Sequence, residues 1–401
     1  MTPNLIRSAS AGFPEGDSAY QHQYLRKSEA PIMTSAGEST GIPPWRAEDI
    51  SVEWLNDVLG KHPDFRDAKI ASFDMDMISE GSGFVGEVLR ITFNYENRTS
   101  STPESIAAKF ANRDPRIKTH ASALTDKEAN VYHHLGPDSE FIMPKCYFSD
   151  SEPETGDCAI LIEDLGRGRF GDNTGGISEY DAKAAARAIA VFHAKWWGRT
   201  DQERTRWLPT QIDQAAFLKE RFTRSAPIFL ERFGERVDNE YKEITSLYLE
   251  KLIPILEAAS SPPLTIVHGD FRPDNIVFDT GFRGCPITAI DWQLTTQGNG
   301  ALDISYLATF GLTVDLRRAI EDSLLSVYHT TLVSEGVTGY SLNQCQTDYK
   351  TGILYPFRVS VQALANLDLS DERGQVLAQA VLDRTSAALR DHDIAVLLRE
   401  M

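Results

Sequence analysis

The chain has 401 residues, 41% apolar and 24% charged, which is ordinary for a globular protein and long enough for two or three compact units. Its formal net charge of -18 repels phosphodiester backbones and anionic headgroups, and no Lys/Arg run offsets it, so no nucleic-acid partner is expected. Cys146, Cys158, Cys285 and Cys345 lie far apart with no CxxC or Cys/His ligand spacing, which excludes a disulfide scaffold or structural zinc, and no apolar run approaches the ~20 residues of a membrane span. A cytoplasmic protein is expected.

Residues 1–43 are rich in Ser, Gly, Pro and charge without helical or strand period and read as a disordered extension. "SVEWLNDVLG" then offers Ser51 as N-cap, Trp54, Leu55, Val58 and Leu59 on one face, and Gly60 as stop, so a short helix is expected. Period two follows: Phe73, Met75 and Met77 alternate with acids, and Leu89, Ile91, Phe93 and Tyr95 share a face. "SIAAKFA" is a third strand, and three consecutive strands with short or polar connections imply an antiparallel sheet. "LTDKEANVYHHL" has helical spacing, and "CAILIEDL" reads as a buried strand. From "SEYDAKAAARAIAVFHAKWWG" onward the pattern is mostly helical, with a Ser178/Asp181 capping box and Gly198 as stop. The exceptions are "TIVHGDFRPDNIVFD" and "CPITAIDWQ", short strands carrying loops. The layout is α+β, with a small β-rich lobe over residues 44–163 and a larger α-rich lobe over 164–401.

Several constellations carry chemistry. "EGSGFVGEV" sets Gly81, Ser82, Gly83 and Gly86 in a GxGxxG pattern that runs directly into an alternating strand. That context disfavours a dinucleotide-binding turn and leaves two readings, a flap whose N–H groups cover nucleotide phosphates or a glycine-rich hairpin turn. Lys109 points opposite to Ile106, Ala108 and Phe110, as a solvated lysine does. Glu128 on the following helix is placed to pair with it and hold the ammonium toward phosphate oxygens. "HGDFRPDN" places Asp270 and Asn275 five residues apart, and Asp291 ends the next strand-like segment. Phosphoryl transfer asks for a carboxylate that orients and deprotonates a hydroxyl, which suits Asp270, and for hard oxygen ligands to Mg²⁺, which suits Asn275 and Asp291. Arg272 is placed to offset charge on the transferring phosphoryl group. Asp274 and Asp279 read as turn acids, Asp303 as a helix cap beside the site, and His268 as an orienting residue of the loop.

The ordered set of glycine loop, lysine, glutamate, HGDxxxxN and aspartate resembles the aminoglycoside phosphotransferase and choline kinase-like superfamily, with its two-lobed protein-kinase-like fold, from about Trp45 to near the C-terminus. "VHGDFRPDNIVF", "IDWQ" and "ALDISYLA" look most like the ecdysteroid kinase-like branch. The resemblance implies ATP and Mg²⁺ as cofactors, Asp270 as base and Asn275 and Asp291 as metal ligands. It also implies Lys109 and Glu128 as ion pair, Gly81 to Gly86 as the phosphate-covering loop, and Leu161 to Leu165, with Glu163 and Leu165, as the hinge that meets adenine. Val88 and Ala107 would lie above the adenine ring. Gly269 stands where protein kinases carry Arg, and few positions separate Asp291 from Asp303, so a small-molecule hydroxyl acceptor is implied and no protein substrate.

Among acceptors, Tyr306, Phe310, Tyr355, Phe357, His193, Trp196 and Trp197 suit a hydrophobic, aromatic or steroid-like alcohol if they line the site, and each reads equally as core. A hydroxyacyl-CoA, an aminoglycoside and choline stay open as acceptors. A nucleotide-binding pseudokinase or scaffold is the alternative of another class. Oligomeric state is not legible.

Overall fold

The computed structural model describes residues 43–79, 86–279 and 285–401, which form two compact units dividing after Arg167. Gly81, Ser82, Gly83 and residues 1–42 of the expected extension lie outside the described residues. The division falls after Arg167 rather than after Glu163, because Asp164 is tied back into the sheet by Arg90 Nε at 2.6 Å and Ser105 Oγ at 2.7 Å.

In the first unit Ser51 opens α1 (Val52–Leu59), its Oγ accepting the Trp54 N–H at 3.1 Å, and Leu55, Val58 and Leu59 are buried. Strands β1 (Lys69–Ser79), β2 (Gly86–Asn97) and β3 (Ser105–Ala111) precede α2 (Pro115–Ser139), and β4 (Cys146–Glu152) and β5 (Asp157–Glu163) follow it. The strands form one antiparallel sheet in the order β1-β2-β3-β5-β4. Leu89, Ile91 and Phe93 turn inward with Ile106, Ala108, Phe110 and Leu161, and α1 packs its apolar face onto them. Met75 and Met77, on the edge strand β1, remain 38% and 42% exposed.

The second unit runs through β6 (Arg169–Phe170), α3 (Glu179–Trp196), α4 (Ala215–Phe233), α5 (Asn239–Glu250), α6 (Leu252–Ala259), β7 (Thr265–Val267), β8 (Ile276–Phe278), β9 (Ile287–Ala289) and β10 (Thr296–Gly298). It ends in α7 (Ala301–Gly311), α8 (Val314–Ser334), α9 (Leu342–Gly352), α10 (Leu354–Asn366), α11 (Glu372–Asp391) and α12 (Ile394–Glu400). Ser178 caps α3 reciprocally: its Oγ accepts the Asp181 N–H at 3.1 Å and donates to the Asp181 carboxylate at 2.9 Å. Gly198 takes φ +66° past the helix end. Two small antiparallel sheets, β10-β7 and β6-β8-β9, carry the loops between the helices. Among the described residues no helix is long and apolar enough to cross a membrane.

Asn56 joins α1 to the sheet. Its Nδ2 donates to Val52 O and Ile70 O at 3.0 Å each, while its Oδ1 accepts the Ile70 N–H at 2.9 Å. Asn56→Ala strands the Ile70 amide pair at a helix-to-sheet junction and is expected to cost about 1–3 kcal/mol in urea denaturation. An unchanged midpoint would show that water replaces the side chain there.

Candidate active site

The loop between β7 and β8 is held from beneath by one carboxylate. Asp303, in the first turn of α7 and 1% exposed, accepts the backbone N–H of His268 at 2.7 Å on Oδ2 and of Gly269 at 2.9 Å on Oδ1. Its Oδ2 also lies 3.1 Å from His193 Nε2, whose ring Nδ1 lies 2.8 Å from Tyr328 Oη. Asp303 therefore does not cap its helix as the sequence suggested; it gives its lone pairs to a loop more than thirty residues earlier.

Gly269 turns the chain at φ +80°, and a Cβ there would meet Leu294 O at 2.3 Å, so both the dihedral and the space demand glycine. His268 follows from the same packing. Its Nε2 lies 3.0 Å from Ile290 O and its Nδ1 3.2 Å from the Asp270 backbone N–H. A carbonyl only accepts and an amide only donates, so the ring is the neutral Nε2–H tautomer, clamped between two strands' ends.

Asp270 is 6% exposed, and its Oδ2 accepts from Asn275 Nδ2 at 2.8 Å and Arg272 Nε at 3.2 Å. Burial, followed by the nearby Asp270 charge, holds the Tyr306 phenol well above its ordinary value. Arg272 is equally buried. Burial works against its charge, but Asp270 and Asp274 beside it more than reverse that and raise it above the usual arginine value. Asp274 is more than the turn acid expected: its Oδ1 accepts the Asn173 N–H at 2.8 Å, and its Oδ2 accepts from Arg272 Nη1 at 3.2 Å. Asp279 is the exposed turn acid expected, at φ +57° and 3.0 Å from Arg169.

Asn275 and Asp291 come together through strand pairing. Ile276 pairs with Ala289 in β8 and β9, and the next pair outward is closed by the Ile290 N–H to Asn275 O at 2.9 Å. With Nδ2 given to Asp270, Asn275 keeps its Oδ1 for another partner. Asp291 sits in the left-handed region at φ 65° and ψ 64°, which aspartate reaches more readily than most side chains. Gln293 Nε2 donates to Asp291 Oδ2 at 3.2 Å, and Trp292, fully buried, stacks near His268 at 4.5 Å between ring centroids. An amide oxygen and a carboxylate are hard donors of the kind Mg²⁺ takes. Among the described residues no three His, Cys, Asp or Glu side chains gather to hold a metal unaided, so a cation here would need oxygens from its substrate and water.

In the sheet unit, Lys109 Nζ lies 2.5 Å from Glu128 Oε2, with the two side chains 16% and 3% exposed. Val88 pairs with Lys109 across β2 and β3, and Ala107 lies two residues along, so all three share the sheet face opposite the core. Gly86 has a structural reason of its own, since a Cβ there would meet Phe110 O at 2.1 Å. Glu163 closes β5, its N–H donating to Lys145 O at 2.9 Å and its Oε2 accepting the Lys145 N–H at 3.2 Å. Beyond it Leu165 is buried.

The aromatic residues expected around the acceptor divide. Tyr306 and Tyr355 reach the loop, the latter donating from its hydroxyl to Gly269 O at 2.9 Å, and Phe310 lies 5.0 Å from the Tyr306 ring. Phe357 is instead core, packed by Phe222, Tyr241 and Tyr248. Trp196 is buried under Arg204, Trp197 packs on Tyr340, and His193 serves Asp303, because α3 turns these residues inward.

A sheet with a buried Lys–Glu pair, followed by a helical unit that carries Asp270 and Asn275 between β7 and β8 and Asp291 just after β9, has a kinase-like layout. A family model described as the ecdysteroid kinase-like family matches residues 80–336, more than half of the chain, and the chain belongs to that family. It is 26% identical over 288 residues to an uncharacterized kinase-like protein of Caenorhabditis elegans, covering 67% of this chain and 76% of that one. It is 27% identical over 212 residues to a probable acyl-CoA dehydrogenase of Arabidopsis thaliana, covering 48% of this chain and spanning only 24% of that protein's length. Among solved structures, choline kinase from Cryptosporidium parvum aligns with a TM-score of 0.46 at 12% identity, over 87% of this chain and 96% of that one.

Replacing Asp303 by Asn sets an amide against two backbone N–H donors and removes the buried charge they serve. Asp303→Asn is expected to lose about 2–4 kcal/mol of stability and to speed amide hydrogen exchange at His268 and Gly269. Unaltered exchange at those two amides would contradict the role given to the carboxylate.

Proposed function

We propose that the protein is an ATP-dependent small-molecule kinase that transfers the γ-phosphate to an acceptor hydroxyl. The observation that carries this reading is the Asp270 carboxylate, buried yet fixed by hydrogen bonds from Asn275 and Arg272 in a loop that cannot shift without breaking the Asp303 bonds. Asp270 orients the acceptor hydroxyl and takes its proton. The acceptor oxygen bonds to the γ-phosphorus as the bond from that phosphorus to the β–γ bridging oxygen breaks, and ADP leaves with that oxygen. Asn275 and Asp291 are the proposed Mg²⁺ ligands; the cation supplies charge neutralisation on the phosphate oxygens.

Arg272 was expected to offset phosphoryl charge directly. With Nε and Nη1 bonded to Asp270 and Asp274 and the residue 7% exposed, it is better read as a positioning residue that keeps Asp270 aimed. In the sheet unit, Lys109 held by Glu128 is assigned to the α- and β-phosphates. Val88 and Ala107 are assigned to one face of adenine, and the backbone of Glu163 to Leu165 to its edge. The glycine loop, Gly81, Ser82, Gly83 and Gly86, is assigned to cover the phosphates.

The acceptor is a small molecule in this reading. The stretch from Asp291 to Asp303 is filled by a 3-10 turn at Trp292–Leu294, β10 and the start of α7, which leaves no length for a segment that docks a peptide. Tyr306, Phe310 and Tyr355 favour an acceptor with an apolar or aromatic body.

The test is ATP consumption with Mg²⁺ across sterols, terpenoid and phenolic alcohols, hydroxyacyl-CoAs, choline and aminoglycosides. Asp270→Ala is expected to lower turnover on any active acceptor by roughly 10² to 10⁴ while leaving Mg-ATP affinity largely intact. Near wild-type turnover in that variant would remove Asp270 as the base, and failure to bind Mg-ATP at all would favour a scaffold.

A further inference from the structure

In a chain of net charge -18, one buried arginine has two further, partly exposed arginines beside it. Arg358 on α10 is 6% exposed, with its guanidinium carbon 4.5 Å from the Tyr355 ring centroid. It reaches Gln362 Oε1 only at 3.4 Å, while Gln362 Nε2 is itself buried without a partner among the described residues. Among the described residues no carboxylate lies within ion-pair distance of Arg358.

Arg221 and Arg224 on α4, the helix packed against α10, add to the positive field. Burial, and then the charges of Arg358 and Arg224, lower Arg221 to about 10, while Arg224 has Glu220 at 3.9 Å. A buried guanidinium with no counter-charge costs several kcal/mol and calls for an anion to complete it.

The position of the cluster says what that anion serves. Arg358, Tyr355 and Tyr248 line a cavity of about 50 Å³, the room of one or two waters, hence of a group of a few heavy atoms. Tyr355 is shared between this cavity and the candidate active site, since its hydroxyl donates to Gly269 O, one residue before Asp270. Asp348 lies on the same cavity's wall, but its carboxylate is taken up by Asn299 Nδ2 at 2.6 Å, Tyr340 Oη at 2.8 Å and Gln344 Nε2 at 2.8 Å.

We propose that Arg358 receives a carboxylate carried by the acceptor, so that the substrate class is a hydroxylated carboxylic acid. The inference rests on the kinase reading for the fate of the hydroxyl and on Arg358 alone for the carboxylate. A planar carboxylate matches the guanidinium fork and the small cavity, and it places the charged end of the acceptor one aromatic side chain away from Asp270.

Titration calorimetry at constant ionic strength, with short aliphatic and phenolic hydroxy acids and their methyl esters, tests this without requiring turnover. Hydroxy acids are expected to bind saturably and roughly 10- to 100-fold more tightly than their esters. Arg358→Met should abolish that difference, Arg358→Lys should keep part of it, and Asp270→Asn should leave acid binding in place. Acids and esters binding alike, acids binding Arg358→Met as well as the native chain, or no acid binding at all would each overturn the proposal. If Arg358→Met does not fold, the acid-to-ester comparison on the native chain decides. Acid binding without ATP consumption would count against the kinase reading and leave the carboxylate site standing.

Discussion

Two lone-pair-rich oxygens of Asp303 determine where the loop after β7 lies. They accept the His268 and Gly269 amides, and with Gly269 forced into positive φ the next residue, Asp270, has little freedom left. The cost of burying that carboxylate is met by hydrogen bonds to backbone donors and by His193, all from groups that are themselves fixed by packing. A mobile loop would spread Asp270 over several positions; this one delivers it to a single place.

From that anchor the rest of the loop follows by short steps. His268 couples the loop to Ile290 and so to Asp291, while Asn275 couples Asp270 to the end of β8. The pairing of β8 with β9 then brings the amide oxygen donor and the aspartate to neighbouring strand ends. A left-handed aspartate, a buried carboxylate and a buried arginine bonded to that carboxylate all lie between Asp270 and Asp291.

Much of this was legible in the amino-acid sequence because the signals are local. Ser51 and Ser178 cap helices where their side chains reach the third residue on, and the period of Leu89, Ile91 and Phe93 marks a strand with one buried face. What was not legible depends on distant partners. Strand β4, "CYFSDSE", is polar because it is a sheet edge, and β10, "TQG", is a strand only because β7 lies beside it. Asp303 looks like a cap from its place near a helix start, and its true partners are backbone groups that no side-chain pattern announces. Phe357 and Tyr355 are two residues apart, yet one is core and the other touches the loop. Arg358, the residue after Phe357, gave no signal until the packing of α4 and α10 showed that its charge is buried.

The central claim is that Asn275 and Asp291 hold a divalent cation against a nucleotide in a loop positioned by Asp303. Electron paramagnetic resonance of Mn²⁺ in the presence of a non-hydrolysable ATP analogue reads this directly, with no acceptor needed. The account predicts Mn²⁺ that is bound tightly only when nucleotide is present, and an affinity at least about ten-fold weaker in Asp291→Asn. Mn²⁺ and nucleotide bound equally well by that variant and by the native chain would contradict it.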